Sequence, residues 1–477
     1  MSNEIYSNPL IERYTSEEMQ KIFSPYNKFR TWRTLWIALA ESQKELGLDI
    51  SDEQITEMKD NADVIDFEKA KEYEKKTRHD VMSHVLTFGD ACPKAKAIMH
   101  LGATSAFVGD NTDLVVYFQA LEIIKKKLAV LILKLSDFAL EHKSLPTLGF
   151  THYQPAQLTT VGKRAVLWIQ DLHMDLMDMN YLMDNYKIRG VKGTTGTQAS
   201  YLELFNGNHE KVMQLETKVA EKIGFKDAFD ATGQTYSRKF DFKMLSVLSG
   251  IAQTLHKMTN DIRLLQNLKE IEEPFAKNQI GSSAMAYKRN PMRSERIASL
   301  SRYIMNNLGN ASATVSTQWF ERTLDDSANR RIVIPETFMA TDAILDIAAN
   351  ISSGLVVNKN VIMSDIEKEL PFMMTENILM AAVKKGGDRQ ELHERIRVHS
   401  MEAAKQVKQF GKKNDLLERI AKDDTFNLNL GDLKELMNPS LYIGRAPEQV
   451  TDFIKKRVNP LKESYGVFAE KEVEMKV

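Results

Sequence analysis

The sequence predicts an all-α protein organised around a central bundle of long helices, and three observations carry that prediction. Apolar residues recur at steps of three and four through 111–142, 156–186 and 240–273, with no proline and few glycines to interrupt them. Strand signals are sparse, and no internal repeat or low-complexity segment is visible. Helices longer than about 25 residues belong to bundles or coiled coils more than to ordinary globules. The first of these stretches is also apolar on more than one face (Leu114, Val115, Phe118, Leu121, Ile124, Leu128, Leu131). Such a helix must be covered on several sides, and one chain offers few partners. A helical core shared between subunits is therefore expected, ahead of a single-chain bundle.

In chain order, residues 1–104 read as a mostly helical N-terminal region. Phe29 to Leu46 places Trp32, Leu35, Trp36, Leu39 and Ala40 on one face. Ser51-Asp52-Glu53 opens a capped helix, and a charged one runs from Phe67 to Lys76-Thr77-Arg78-His79-Asp80. Gly102-Ala103-Thr104-Ser105 breaks the pattern, and Asn111, Thr112 and Asp113 read as caps of the first long helix. Residues 105–357 form the central bundle region. The second long helix is expected from Ala156 and the third from Phe240 to Glu273, with two or three more over 290–355. Residues 358–477 read as a C-terminal region of shorter, more charged helices, ending in about a dozen weakly ordered residues.

Composition narrows the function classes. The 477 residues are 43% hydrophobic and 27% charged, with a net charge of −1. That balance argues against a dedicated nucleic-acid or anionic-membrane surface. One cysteine, Cys92, leaves no internal disulfide and points to a reducing compartment. The start Met1-Ser2-Asn3-Glu4 has no signal-peptide pattern, and the longest apolar run is too short for a bilayer. A cytoplasmic protein is expected.

The candidate chemistry centres on Ile280-Gly281-Ser282-Ser283-Ala284-Met285-Ala286-Tyr287-Lys288-Arg289-Asn290-Pro291, a polar segment between two helical patterns. It reads as a mobile flap of the kind that closes over a ligand and excludes water. A serine acts as a base only where positive charge or backbone donors stabilise its alkoxide, and Lys288 lies in the same loop. Thr151-His152-Tyr153-Gln154-Pro155-Ala156-Gln157 offers an imidazole able to give or take a proton near neutral pH. Thr104 and Ser105 offer hydroxyls to a carboxylate. His79 and His84 stand five apart, about 140° round a helix, which is wrong for a shared metal. Gly190 to Thr197 is a tight loop without the spacing of a phosphate-binding motif. Arg322, Arg330 and Arg331, with Ser327, supply the forks and hydroxyl of phosphate recognition, although Asp325 and Asp326 could neutralise them.

Taken together, the Gly102–Ser105 motif, the Thr151–Gln157 motif and Gly281-Ser282-Ser283-Ala284-Met285-x-x-Lys288-x-Asn290-Pro291 resemble, in chain order, the three conserved regions of the fumarase/aspartase superfamily, the last being its signature loop. The extensions through Tyr287, Arg289 and Met292 to Arg296, and Trp319 to Arg331, resemble the adenylosuccinate lyase family within it. The resemblance runs from about Tyr6 to about Pro460. It implies the three-domain fumarase/aspartase-like fold and a homotetramer whose sites each draw on three chains. It implies elimination of fumarate from adenylosuccinate, giving AMP, and from the ribotide SAICAR, giving AICAR, with neither cofactor nor metal. On matching positions it makes Ser282 the base, with Ser283 as fallback, and His152 the acid. Lys288 and Asn290 would hold the carbanion, and Glu295 would orient the histidine. Arg13, Tyr14, Arg78, His79, Asp80, Thr104, Ser105, Thr151, Gln234, Arg296, Arg322, Ser327 and Arg331 would bind substrate. Ala286 stands where the superfamily has proline, which bears on loop closure more than on chemistry. The rival expectations are a sister lyase without the phosphate-binding arginines, and a non-enzymatic helical scaffold.

Overall fold

The computed structural model describes residues 4–275, 279–281 and 284–470. Helix α1 (Pro25–Glu45) starts on Ser24, whose hydroxyl accepts the Asn27 amide, with Pro25 fixed at its first position. Its inner face buries Trp32, Leu35, Trp36 and Leu39. Asp66 caps α2 (Phe67–Thr77), which closes on Arg78 in the left-handed conformation, φ 55°. His79 then caps α3 (Asp80–Ala91). These helices enclose a first core around Trp32, Trp36, Phe88 and Phe107, which Tyr201 and Leu215, from much further along the chain, complete.

Five long helices build the second core. They are α4 (Ser105–Glu141), α5 (Val161–Asp184), α6 (Lys239–Asn267), α7 (Met292–Ser316) and α8 (Asp325–Ser352). Leu128, Leu131, Ile169, Leu248, Leu255 and Ile344 are fully or almost fully enclosed among them. The same apolar cluster continues into the C-terminal helices through Leu392 and Val450.

Four boundaries differ from the sequence expectation. Helix α4 begins at Ser105, so Asn111, Thr112 and Asp113 are interior residues rather than caps. Asn111 is buried and brackets Gly190, accepting its amide at 2.9 Å and donating to its carbonyl at 3.1 Å. Helix α5 begins at Val161, because 154–160 pairs instead as strand β2 (Gln154–Thr160) with β1 (Pro146–Thr151). Helix α6 ends at Asn267, and Ile271–Glu272 forms a short β3 against Val356–Val357, β4. The expected weak tail, 466–477, begins inside the helix Asn459–Ala469, while 471–477 lie outside the described residues. No helix among the described residues is long and apolar enough to cross a membrane.

One buried carboxyl in the bundle is pH-sensitive. Asp175 of α5 is 8% exposed and accepts a 2.7 Å hydrogen bond from the Thr254 hydroxyl on α6. Burial, with Asp178 and Asp171 adding to it against the Thr254 bond, pushes its pKa up to about 7. The folded state thus holds this proton more tightly than the unfolded chain, so stability is lost as pH rises from about 4 towards 7. Asp175→Asn keeps the acceptor and removes the charge. It should raise Tm by about 1 °C for each kcal/mol regained in a chain of this length, and more at pH 8 than at pH 5. Calorimetric scans at the two pH values check this; equal shifts would contradict it.

Candidate active site

At one end of the bundle a cleft of about 1040 Å³ opens between the first turns of α3, α4 and α8. Helix N-termini carry unsatisfied N–H groups and partial positive charge, so their convergence favours an anion. Eight of the sequence candidates line this cleft: Arg78, His79, Asp80, Ser105, Gln234, Arg322, Ser327 and Arg331. Thr104, their neighbour, is the N-cap of α4 and makes no side-chain capping bond.

The chain bends sharply to present the first three. Arg78 sits in the left-handed region, a conformation costly for a side-chain-bearing residue. His79 Nδ1 accepts the Met82 amide at 3.3 Å, so its neutral form carries the proton on Nε2. Asp80 accepts the Val81 amide at 2.8 Å and stands 3.5 Å from the Arg331 guanidinium.

Beneath the cleft lies a buried charge network absent from the sequence reading. Arg238, 3% exposed, donates to both oxygens of Asp110 at 3.2 Å and to Asp326 at 2.7 Å. Arg330 donates to Asp241 at 2.6 Å and lies 3.1 Å from Asp113. It also reaches the Tyr236 hydroxyl at 2.5 Å, and that hydroxyl donates to Asp241 at 2.6 Å. Burial holds the Tyr236 phenol far above its usual range, so it stays a donor. The expectation that Asp326 neutralises the arginine cluster is corrected accordingly: its main partner is Arg238, and Arg322 lies 3.8 Å away. Arg330 belongs to the floor rather than to a ligand site.

Gln234 is fixed through its backbone. Its amide donates to the Glu321 carbonyl at 3.0 Å, and its carbonyl accepts from Arg189 Nε at 2.8 Å. Arg189 is fully buried and also donates to the Gly190 and Gly193 carbonyls. Gly233 is needed here, since a Cβ would meet the Glu321 carbonyl at 2.5 Å. Gly190 to Lys192 is accordingly buried against the cleft wall rather than open to a ligand.

The other candidates lie outside the cleft. Thr151 and His152 stand at the tip of the β1–β2 hairpin, which grows from the C-terminal end of α4. Thr151 pairs directly with Gln154, so His152 and Tyr153 form a two-residue turn, both left-handed at φ 54° and 58°. Asn-Gly is the usual occupant of such turns. Helix α4 has 37 residues, so at ~1.5 Å each about 55 Å separates Ser105 from the hairpin's base.

The signature loop also lies away from the cleft, between β3 and α7. Ser282 and Ser283 fall outside the described residues, but the loop's base is tied firmly. Asn290 donates to the Gly281 carbonyl at 2.8 Å, and a Cβ at Gly281 would meet the Lys288 carbonyl at 2.2 Å. The Arg289 carbonyl accepts from Gln266, its guanidinium pairs with Glu272, and Lys288 is exposed. The expected mobile flap is therefore anchored at its C-terminal base. Buried Glu273 completes the anchor, accepting the Ser294 amide at 2.6 Å and the Arg293 amide at 3.2 Å. It thereby caps α7, whose own N-cap, Pro291, has no side-chain acceptor, and Glu295 lies exposed on the first turn. A third group forms where the Arg296 guanidinium lies 5.5 Å from the Tyr14 ring centroid, with Arg13 in the same short helical turn, Leu10–Tyr14.

Comparison with known proteins decides the family. Residues 14–306 match the family model described as Lyase, and residues 371–453 match Adenylosuccinate lyase C-terminus. The chain is 55% identical over 457 residues to adenylosuccinate lyase of Saccharomyces cerevisiae, covering 95% of each chain. The chain belongs to the adenylosuccinate lyase family. It is also 52% identical to the Schizosaccharomyces pombe relative, again over 95% of each chain. The Pyrococcus abyssi relative is 31% identical, over 94% of this chain and 97% of the other. In fold it is similar to the 3-carboxy-cis,cis-muconate lactonizing enzyme of Pseudomonas putida, with TM-score 0.82, 20% identity and coverage of 95% and 100%. The fumarate lyase of Mesorhizobium sp. BNC1 is similar at TM-score 0.79 and 19% identity, with coverage of 95% and 100%.

For this adenylosuccinate lyase family member the sequence reading missed Arg189, Arg238 and Glu273, which touch the site through its backbone or its floor. The partners that tie them to the site, Gln234, Asp110, Asp326 and Ser294, lie 45, 128, 88 and 21 residues away, so no local spacing reveals them.

Two outcomes follow. Arg238→Met leaves Asp110 and Asp326 buried without their cation and should cost about 3–5 kcal/mol, read as a lower urea midpoint. Glu273→Ala frees the first turn of α7 and should cost about 1–2 kcal/mol. Because the same residue anchors the loop, kcat should fall well beyond what the stability loss explains. Unchanged kcat would detach the anchor from catalysis.

Proposed function

We propose that this chain eliminates fumarate from adenylosuccinate, giving AMP, and from SAICAR, giving AICAR, as a cytoplasmic homotetramer. The observation that carries this is the cleft itself. Its outward-facing arginines, hydroxyls and three helix N-termini fit an anion-rich nucleotide, while the loop and hairpin expected to move protons lie elsewhere on the same chain.

In this reading Ser282, as alkoxide, takes the proton from the carbon beside the succinyl carboxylate. Lys288, Asn290 and loop amides hold the resulting aci-carboxylate. His152 protonates the departing nitrogen, with Glu295 orienting it, and fumarate leaves. Both proton carriers are side chains, so no cofactor or metal enters the reaction. Arg13, Tyr14, Arg296, Thr104, Thr151 and the eight cleft residues hold the rest of the substrate, His79 orienting the nucleotide. The division of the chain near 104 and 357 belongs to the same reading.

The geometry of one chain supports the tetramer reading. Two-fold pairing of antiparallel bundles would set the hairpin and loop of neighbouring subunits against the cleft. Helix α5 offers a face for it, with Leu167, Met174, Met177 and Tyr181 all exposed.

The test is an ultraviolet assay with adenylosuccinate. The wild type should turn over, and Ser282→Ala and His152→Ala should each lose at least about a thousandfold in kcat. Mixing the two inactive variants and reassembling them should restore up to about a quarter of the activity, because some sites then combine two intact residues from different chains. No recovery would count against shared sites. No turnover by the wild type would count against the reaction.

A further inference from the structure

Lys28, which neither the motifs nor the resemblance singles out, stands in the cleft wall on the first turns of α1. Four of the other five cleft lysines and arginines fall into two groups. Arg238 and Arg330 are saturated by the carboxylates of the floor, while Arg322 and Arg331 face Asp326 and Asp80 at 3.8 and 3.5 Å. Among the described residues, Lys28 and Arg78 alone of these six have no carboxylate within ion-pair reach.

The Lys28 ammonium is instead held by aromatic faces, 5.2 Å from the Phe29 ring centroid and 5.1 Å from that of Trp32. A cation over two rings keeps its charge and its position yet leaves its N–H donors free. Trp32 lines the same cleft, and its buried indole N–H has no acceptor among the described residues. Burial pulls the ammonium below the ordinary lysine value; Asp113, Asp80 and Glu74 oppose this pull and Arg331 adds to it. A partly desolvated ammonium in a cleft that also holds a second unpaired cation, Arg78, is a costly arrangement unless an anion completes it.

We propose that Lys28 is a further substrate-binding residue, donating to an oxyanion of the ligand in concert with Arg78. The oxyanion is a phosphate or a carboxylate of the substrate, and the assignment rests on the nucleotide-lyase reading of this cleft.

The experiment compares the wild-type tetramer with Lys28→Met, Lys28→Gln and Lys28→Arg. It reads KM and kcat with adenylosuccinate, and thermal stabilisation by inorganic phosphate and by succinate as separate probes. Loss of one charge-assisted hydrogen bond should raise KM roughly ten- to a hundredfold, with kcat within about threefold and Lys28→Arg restoring part of the loss. Loss of phosphate stabilisation alone assigns the phosphate, and loss of succinate stabilisation alone assigns the carboxylate. If the wild type fails to turn over adenylosuccinate yet phosphate stabilises it in a Lys28-dependent way, the reaction is wrong and the anion site stands. Variants with wild-type melting curves, unchanged KM and unchanged stabilisation by both probes would overturn the proposal. Two neutral replacements guard against one that does not fold.

Discussion

The cleft end of this molecule depends on one buried ion pair more than on any other contact: Arg238 held between Asp110 and Asp326. Each of the three sits within the first turns, or at the threshold, of a different long helix. A guanidinium enclosed to this extent must meet its carboxylates, because leaving any of the three alone costs several kcal/mol. Helices α4, α6 and α8 are therefore locked in register at the end where a ligand is expected. Arg330, Asp241 and Tyr236 repeat the lock one layer away. The result is a floor whose charges pair with one another and a wall that keeps two cations, Lys28 and Arg78, without a carboxylate partner among the described residues. Dipoles and cations fixed before a ligand arrives need no reorganisation when charge develops, and this is where a preorganised site gains over water.

The same long helices that make the floor rigid also keep the candidate groups apart. Helix α4 runs from Ser105 at the cleft to the base of the His152 hairpin, α6 runs from Arg238 to the approach of the signature loop, and α7 returns towards Arg322. A spacing of tens of ångströms cannot be closed by side-chain motion, so the residues proposed to move protons and those proposed to bind anions would meet only if another copy supplied one of them. The exposed apolar residues of α5 are consistent with that economy. They are costly on an isolated chain and useful once a second bundle covers them.

What could be read from the sequence was what repeats locally. The helical period gave the long helices, because burying one or more faces imposes that period on any bundle. Element ends were less legible, for reasons that differ case by case. Asn111 looks like a cap, yet its side chain brackets Gly190, 79 residues away, from inside α4. The β1–β2 hairpin was invisible because its turn is His-Tyr, without the glycine or asparagine that advertises a left-handed pair. The anchoring of the loop was missed because its key acceptor, Glu273, precedes the amides it binds by about twenty residues. Of the site residues, eight converge on one cleft with Thr104 beside them, while Thr151, His152, Lys288, Asn290 and Glu295 lie on the hairpin and about the loop, away from it.

The strained positions point the same way. Arg78, His152 and Tyr153 all hold left-handed backbone that glycine would adopt without cost. At each, a glycine would relieve of order 1 kcal/mol and would remove the guanidinium, the imidazole or the ring beside it. At the exposed hairpin tip the two-residue turn demands this backbone, and the fold by itself gains nothing from carrying His152 and Tyr153 there rather than asparagine or glycine. It does gain if the side chain has to project into a neighbour's cleft from a rigid two-residue turn rather than from a loose loop. The hairpin is then a finger whose stiffness comes from the β1–β2 ladder and whose reach is set by where that ladder stops. In the proposed oligomer its energetic cost would be recovered by what the His152 side chain reaches.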